Sequence, residues 1–121
     1  MSSYKYLFKP IKIGSVEIKN RIVMLPMAQN DAHQPGFPSE QTKAFCAARA
    51  YGGVGLIIVG GTYVTRLGWE TSGQHNLRID TAATLPSFAQ PVQRVHAFGA
   101  RVFLQMSQAA DSLNCSSIIL R

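Results

Sequence analysis

The feature that most constrains this chain is its alternation of short β-branched runs with single helical segments. "RIVML", residues 21–25, is apolar throughout and lacks a polar alternation, so it predicts a strand buried on both faces, stopped by Pro26. The Asn, Asp, Pro and Gly that follow as far as Pro38 read as a loop. Ser39 can cap a helix running to about Tyr51, with Phe45 and the alanines at 44, 47, 48 and 50 on its close-packing side, and Gly52-Gly53 supplies the stop. "VGLIIVGG" is a second strand; Thr62 to Asp80 is a long mixed segment. A second helical pattern then sets Phe88, Val92 and Val95 on one face before Gly99, and "RVFLQ", 101–105, is a third strand. Strand, helix, strand, helix, strand implies parallel β-α-β units with right-handed connections.

Ahead of these units, "IKIGSVEIKN" alternates apolar and polar residues on either side of Gly14-Ser15. This predicts a two-residue hairpin, since glycine at the first turn position accepts the positive φ of a tight turn. Three parallel strands and two helices do not close an architecture. They suit a small doubly wound sheet or part of a closed barrel, and the tail "QAADSLNCSSIILR" holds no third amphipathic helix to finish the sheet. A complete eight-unit barrel takes ~250 residues, about twice this length. The expected fold is therefore α/β: an incomplete (β/α)8 barrel made of the hairpin, about three parallel strands and two helices.

Composition narrows the partners. The 121 residues fit one domain, 46% apolar and 15% charged, and the net charge of +6 comes from 12 basic against 6 acidic residues with no consecutive basic run. A dispersed excess of this kind favours solubility over a nucleic-acid stripe, and no nucleic-acid module is legible. Cys46 and Cys115 could form one bridge, but free thiols in a reducing compartment are the plainer expectation. No apolar run approaches the ~20 residues of a membrane span, and "MSSYKYLFKP" lacks a signal-peptide core, so a cytoplasmic chain without a membrane partner is expected.

Ligands of a parallel α/β sheet bind beyond the carboxyl ends of its strands. Those ends are "LPMA", "VGGT" and "QMSQ". Pro26-Met27 frees the backbone from the ladder and stiffens it. Gly60-Gly61 lets a flat ring approach the main chain, and the Gln105 amide offers donors and an acceptor to a heterocycle edge. Each feature alone occurs in proteins without ligands; their shared position is what points to a site. A dinucleotide fingerprint beginning at Gly53 fails, because its last glycine position is Ile58 and the run enters a strand. No Walker A, H-E-x-x-H or paired-cysteine metal motif is present. His33, His75 and His96 lack ligand spacing, and His96 reads as a surface or packing residue.

On these residues the chain resembles the Old Yellow Enzyme family of FMN-dependent ene-reductases and NADH:flavin oxidoreductases. "LFKPIKIGSVEIKNRIVMLPMAQN" is similar to the family's opening, in which a hairpin lids the barrel bottom and the first strand ends in a Pro-Met or Pro-Leu loop. "GGVGLIIVGGTYVTRLG" resembles its second strand, and "VQRVHAFGARVFLQM" its second helix and third strand. The resemblance covers about Leu7 to Gln105. It implies that the backbone of Pro26, Met27 and Ala28 lines one edge of FMN, that Gly61 meets the ring, and that Gln105 bonds its pyrimidine part. It also implies hydride passage from NAD(P)H through FMN to a small-molecule activated alkene.

The departures from that pattern are as informative. Ala28 stands where the family commonly has Thr or Cys, which removes a group that tunes the flavin. After Gln105, "MSQAAD" replaces a pattern like L-x-H-x-G-R. The family's substrate-orienting His/Asn pair, tyrosine proton donor and phosphate-binding basic residues belong to later segments, so no catalytic residue is assigned and no metal is expected. Residues 1–106 are thus expected to form a partial barrel and 107–121 a divergent tail, with disorder one reading of it. Two alternatives stand beside the enzyme: a truncated, non-catalytic fragment whose partner is the missing remainder of the barrel, and a flavin-binding module without turnover. Pro91 falls inside the second helix: if Thr84 caps that helix, Pro91 deletes an internal bond at a cost of about 3 kcal/mol, and a later start near Ser87 would soften the cost.

Overall fold

The computed structural model describes residues 4–32, 36–73, 75–110 and 114–120, with side chains described as far as 108. Strands β1 (Ile11–Ile13) and β2 (Val16–Ile18) form an antiparallel hairpin with Ile13 opposite Val16, and Gly14 takes φ +60°, as a two-residue turn requires. The hairpin's Ile13, Val16 and Ile18 pack against Leu56, Ile58 and Phe103. It therefore covers one face of the main sheet near the start of its strands.

That sheet runs β3 (Val23–Met24), β4 (Leu56–Tyr63), β6 (Arg101–Ala110), β7 (Asn114–Leu120), with β5 (Leu77–Arg78) also paired to β4. Strands β3, β4 and β6 are mutually parallel, and β7 is antiparallel to β6. Helices α1 (Glu40–Tyr51) and α3 (Leu85–His96) cover the face opposite the hairpin, where Cys46, Ala50, Ile57, Val95 and Ala100 are buried together and Met24, Val59 and Val102 pack on them. Alternation along β4 thus sends Ile57 and Val59 to the helices and Leu56 and Ile58 to the hairpin. Both faces of β4 are covered, which is why it reads as a continuous apolar run.

Helix α1 begins as its sequence predicts: the Ser39 hydroxyl accepts from the Thr42 N–H at 3.0 Å. At its other end Gly53 is left-handed, with φ +101°. Glu40 ties the two helices together, accepting from Lys43 at 2.7 Å and from Arg94 of α3 at 3.0 Å.

Four expectations are corrected. The strand at 21–25 is paired only over Val23–Met24, at the sheet edge, and it is not buried on both faces: Met24 packs toward the helices, whereas Val23 is 39% and Leu25 67% exposed. The second helix takes the earlier of its two expected starts, with Thr84 at the N-cap position and Leu85 its first residue, so Pro91 is internal and leaves the Ser87 carbonyl without its i+4 donor. The Pro91 ring is instead buried on the same face as Phe88 and Val95, in the place the periodicity assigned to Val92. The segment Thr62 to Asp80, expected to be mixed, holds regular structure: the end of β4, the short helix α2 (Arg66–Thr71) and β5. Finally, the third strand does not end at Gln105 but continues to Ala110 and turns back as β7. Of the tail, residues 111–113 and 121 lie outside the described residues.

Candidate functional site

The two glycines expected at a strand end lie instead within β4, at a bulge. Pairing steps from Val59 opposite Leu104 to Thr62 opposite Met106, so Gly60 and Gly61 together face the single residue Gln105. Gly61 adopts φ +64°, which a side chain would strain, and a bulge of this kind locally interrupts the backbone ladder.

The chain leaving β3 runs directly beside this bulge. A Cβ placed on Gly60 would lie 2.7 Å from the Met27 nitrogen and 3.0 Å from its carbonyl carbon and oxygen. One placed on Gly61 would lie 3.4 Å from Ala28 Cβ and 3.0 Å from Asn76 Oδ1. Gly60 must therefore lack a side chain for the protein's own Pro26–Ala28 loop to reach the strand, while at Gly61 the positive φ and the Asn76 side chain are what disfavour one. All five residues singled out from the sequence, Pro26, Met27, Ala28, Gly61 and Gln105, surround one bulge on adjacent strands. Met27 and Ala28 are exposed, while Pro26, Gly61 and Gln105 are half-buried.

A second tier of residues, which sequence reasoning missed, braces this arrangement. Asn76 is buried and its amide nitrogen donates to the Ser72 carbonyl at 3.4 Å and hydroxyl at 3.3 Å. Its own carbonyl accepts from Trp69 Nε1 at 2.7 Å, and the neighbouring His75 carbonyl accepts from the Ala32 N–H at 3.1 Å. Helix α2 and β5 therefore hold the loop from behind. A cue to α2 was present: Thr65, whose hydroxyl accepts from Gly68 N–H, and Gly73, at φ +96°, bracket it as start and stop. At six residues α2 is too short for a periodic pattern to show.

Between the loop and α1 lies a small cavity of ≈ 20 Å³, about the room of one water, lined in part by Gln29, Asp31, Thr42, Cys46 and Asn76. Asp31 accepts from Thr42 Oγ1 at 2.8 Å and from Ser39 Oγ at 3.2 Å, whereas the buried Gln29 Oε1 has no hydrogen-bond partner among the described residues. Burial pushes the Cys46 thiol up from its ordinary range, which marks it as a packing residue rather than a nucleophile. Cys46 carries no disulfide; the Cys115 side chain and His33 lie outside the described residues. His96 is exposed on α3, and no cluster of three or more His, Cys, Asp or Glu able to hold a metal occurs among the described residues. No described helix is long and apolar enough to cross a membrane.

Comparison with known proteins adds ancestry to this geometry. The chain is 38% identical over 110 residues to an NADH oxidase of Thermoanaerobacter brockii, a match covering 90% of this chain and 17% of that protein. It is 35% identical over 104 residues to an NADPH dehydrogenase of Bacillus subtilis, covering 85% of this chain and 30% of the relative. Among solved structures, the old yellow enzyme homologue of Zymomonas mobilis superimposes with a TM-score of 0.71 at 31% identity, over 83% of this chain and 27% of the other. The chain thus spans less than a third of the curated relatives it matches, and the fold is an incomplete (β/α)8 barrel. The family match extends over residues 6–117, well past Gln105, and on that match the chain belongs to the NADH:flavin oxidoreductase / NADH oxidase family.

Proposed function

We propose that this chain supplies one edge of the FMN site of an FMN-dependent oxidoreductase. The observation that carries the reading is the convergence of Pro26–Ala28, Gly61 and Gln105 on one bulge. Bound FMN would supply hydride transfer between NAD(P)H and the β-carbon of an activated alkene. The residues present fit such a group. Strand β4 separates the Met27 loop from Gln105, so the two lie about 10 Å apart, the scale of a fused three-ring system. Gln105 is half-buried and lies on the sheet face of Phe103 by strand alternation, with donors and an acceptor for a heterocycle edge. The interrupted ladder at Gly60-Gly61 leaves backbone groups for the same edge.

Pro26 and the Gly60 contact would hold the loop backbone in place before the ring arrives, which lowers the ordering cost of binding. Ala28 offers no hydrogen bond of its own side chain, so orientation there falls to the main chain. The proposed site of action is cytoplasmic, in keeping with the free buried Cys46. No residue of this chain is given the role of catalytic acid.

Titrating FMN into the protein tests the reading. Saturable quenching of flavin fluorescence, weakened by Gln105→Ala and unaltered by the distant Lys12→Ala, is expected. Quenching that does not saturate, or that ignores Gln105→Ala, would refute it. A second reading, a non-catalytic fragment, draws support from the antiparallel β7 beside Gln105. It predicts that NAD(P)H does not bleach any flavin the chain retains.

A further inference from the structure

Strands β3, β4 and β6 are parallel and joined through helices, and a sheet of this kind grows by placing a further parallel strand on the free edge of β6. That edge is taken. Strand β7 pairs with β6 in unbroken antiparallel register from Leu104 opposite Leu120 to Ala110 opposite Asn114, and Gln105 lies opposite Ile119. The stretch covered is the carboxyl half of β6, flanked on its other side by the Gly60-Gly61 bulge. The reason for the reversed direction is chain length. Three residues separate Ala110 from Asn114, whereas a parallel return needs a crossover of a dozen or more.

We propose that β7 is a self-supplied occupant of the β6 edge that excludes a parallel strand from beside Gln105. A strand from a complementary barrel segment pairs there only after β7 has left. The backbone donors and acceptors on that side of β6 serve one neighbour at a time, so docking of β7 and extension of the parallel sheet are mutually exclusive. This goes beyond the proposed function and stands on strand pairing whether or not flavin binds.

The test uses the full chain with Cys115→Ser. In that background, Ser107→Cys with Ser117→Cys joins an in-register pair, and Ser107→Cys with Ile118→Cys is the one-residue slip. The in-register pair is expected to oxidise to an intramolecular disulfide several-fold faster, read by mass spectrometry. Separately, Ser117→Pro with Ile118→Pro removes two adjacent β7 N–H groups, one of which faces β6 because donors alternate along an antiparallel pair. Hydrogen exchange should then rise at residues 104–110 while residues 56–59 stay protected, showing that the fold persists. Equal oxidation of the two cysteine pairs, or unchanged exchange at 104–110 in the proline variant, overturns the proposal. As the competition readout, the Bacillus subtilis NADPH dehydrogenase segment that follows its matched region is added to both chains. Tighter binding to the proline variant supports exclusion; equal binding to the two chains, or binding to neither, refutes it.

Discussion

Gly60→Ala probes the contact on which the site depends. The added methyl would sit 2.7 Å from the Met27 nitrogen and 3.0 Å from the Met27 carbonyl, all main-chain atoms that no rotamer change can move aside. The loop must retreat by at least a few tenths of an ångström, and overpacking of this kind typically costs about 1–3 kcal/mol. Urea unfolding followed by the single tryptophan reads the loss directly. Trp69 is 5% exposed and donates to the Asn76 carbonyl, while Asn76 Oδ1 borders Gly61, so displacement of the loop is felt at the indole. With a urea slope of about 1–3 kcal/mol per molar, the midpoint should fall by on the order of 1 M. Gly52→Ala is the control: its φ is −68° and its nearest contact would be 3.4 Å, so a change within about 0.5 kcal/mol is expected. A Gly60→Ala midpoint and tryptophan spectrum matching the control would refute the claim that the loop rests on the bulge.

Other perturbations test the frame around the site. Asn20→Ala removes the donor to the Gly53 carbonyl and the acceptor for Ile22 N–H at a buried position, so unfolding should show a loss of about 2–3 kcal/mol. Pro91→Ala restores a donor for the Ser87 carbonyl but gives up a buried ring, and a net gain of about 1–2 kcal/mol in denaturant midpoints is the expected balance. Glu40 has its carboxyl held below the usual range by hydrogen bonds from Lys43 and Arg94. Its contribution is therefore present above the unfolded carboxylate range and disappears as pH falls through the lowered value. The stability difference between Glu40→Gln and the parent should vanish in acid; a difference that persists there would contradict the assignment. Because burial raises the Cys46 thiol, its alkylation near neutral pH should track global unfolding, read by mass spectrometry across a denaturant series.

Much of the scaffold was legible before any coordinates. The Gly14-Ser15 turn, the Ser39 cap and the Gly52-Gly53 stop are local devices, each decided by φ preference or by one side chain reaching its own backbone, and the structure contains each of them. What misled was distance along the chain. Arg21 to Leu25 looks fully buried because apolarity marks what a strand can bury, not what its neighbours cover. Pro91 looked like a reason to shift a helix start, yet its ring is buried in the core face. Asn76 and Trp69 gave no pattern at all, because their role is to hold a loop that belongs to a segment over 40 residues earlier.

The sequence alone determined the alternating strand and helix order and the family resemblance, because apolar period, caps and glycine positions act within a few residues. It also marked Pro26, Met27, Ala28, Gly61 and Gln105 as candidates, though as features of three separate strand ends. Only the tertiary structure decided that they surround one bulge, that Gly60 admits the Met27 loop, and that β7 closes the edge beside Gln105. The bulge and the loop contact depend on register between strands more than 30 residues apart, and register is set by the packing of whole layers rather than by the chemistry of any one stretch.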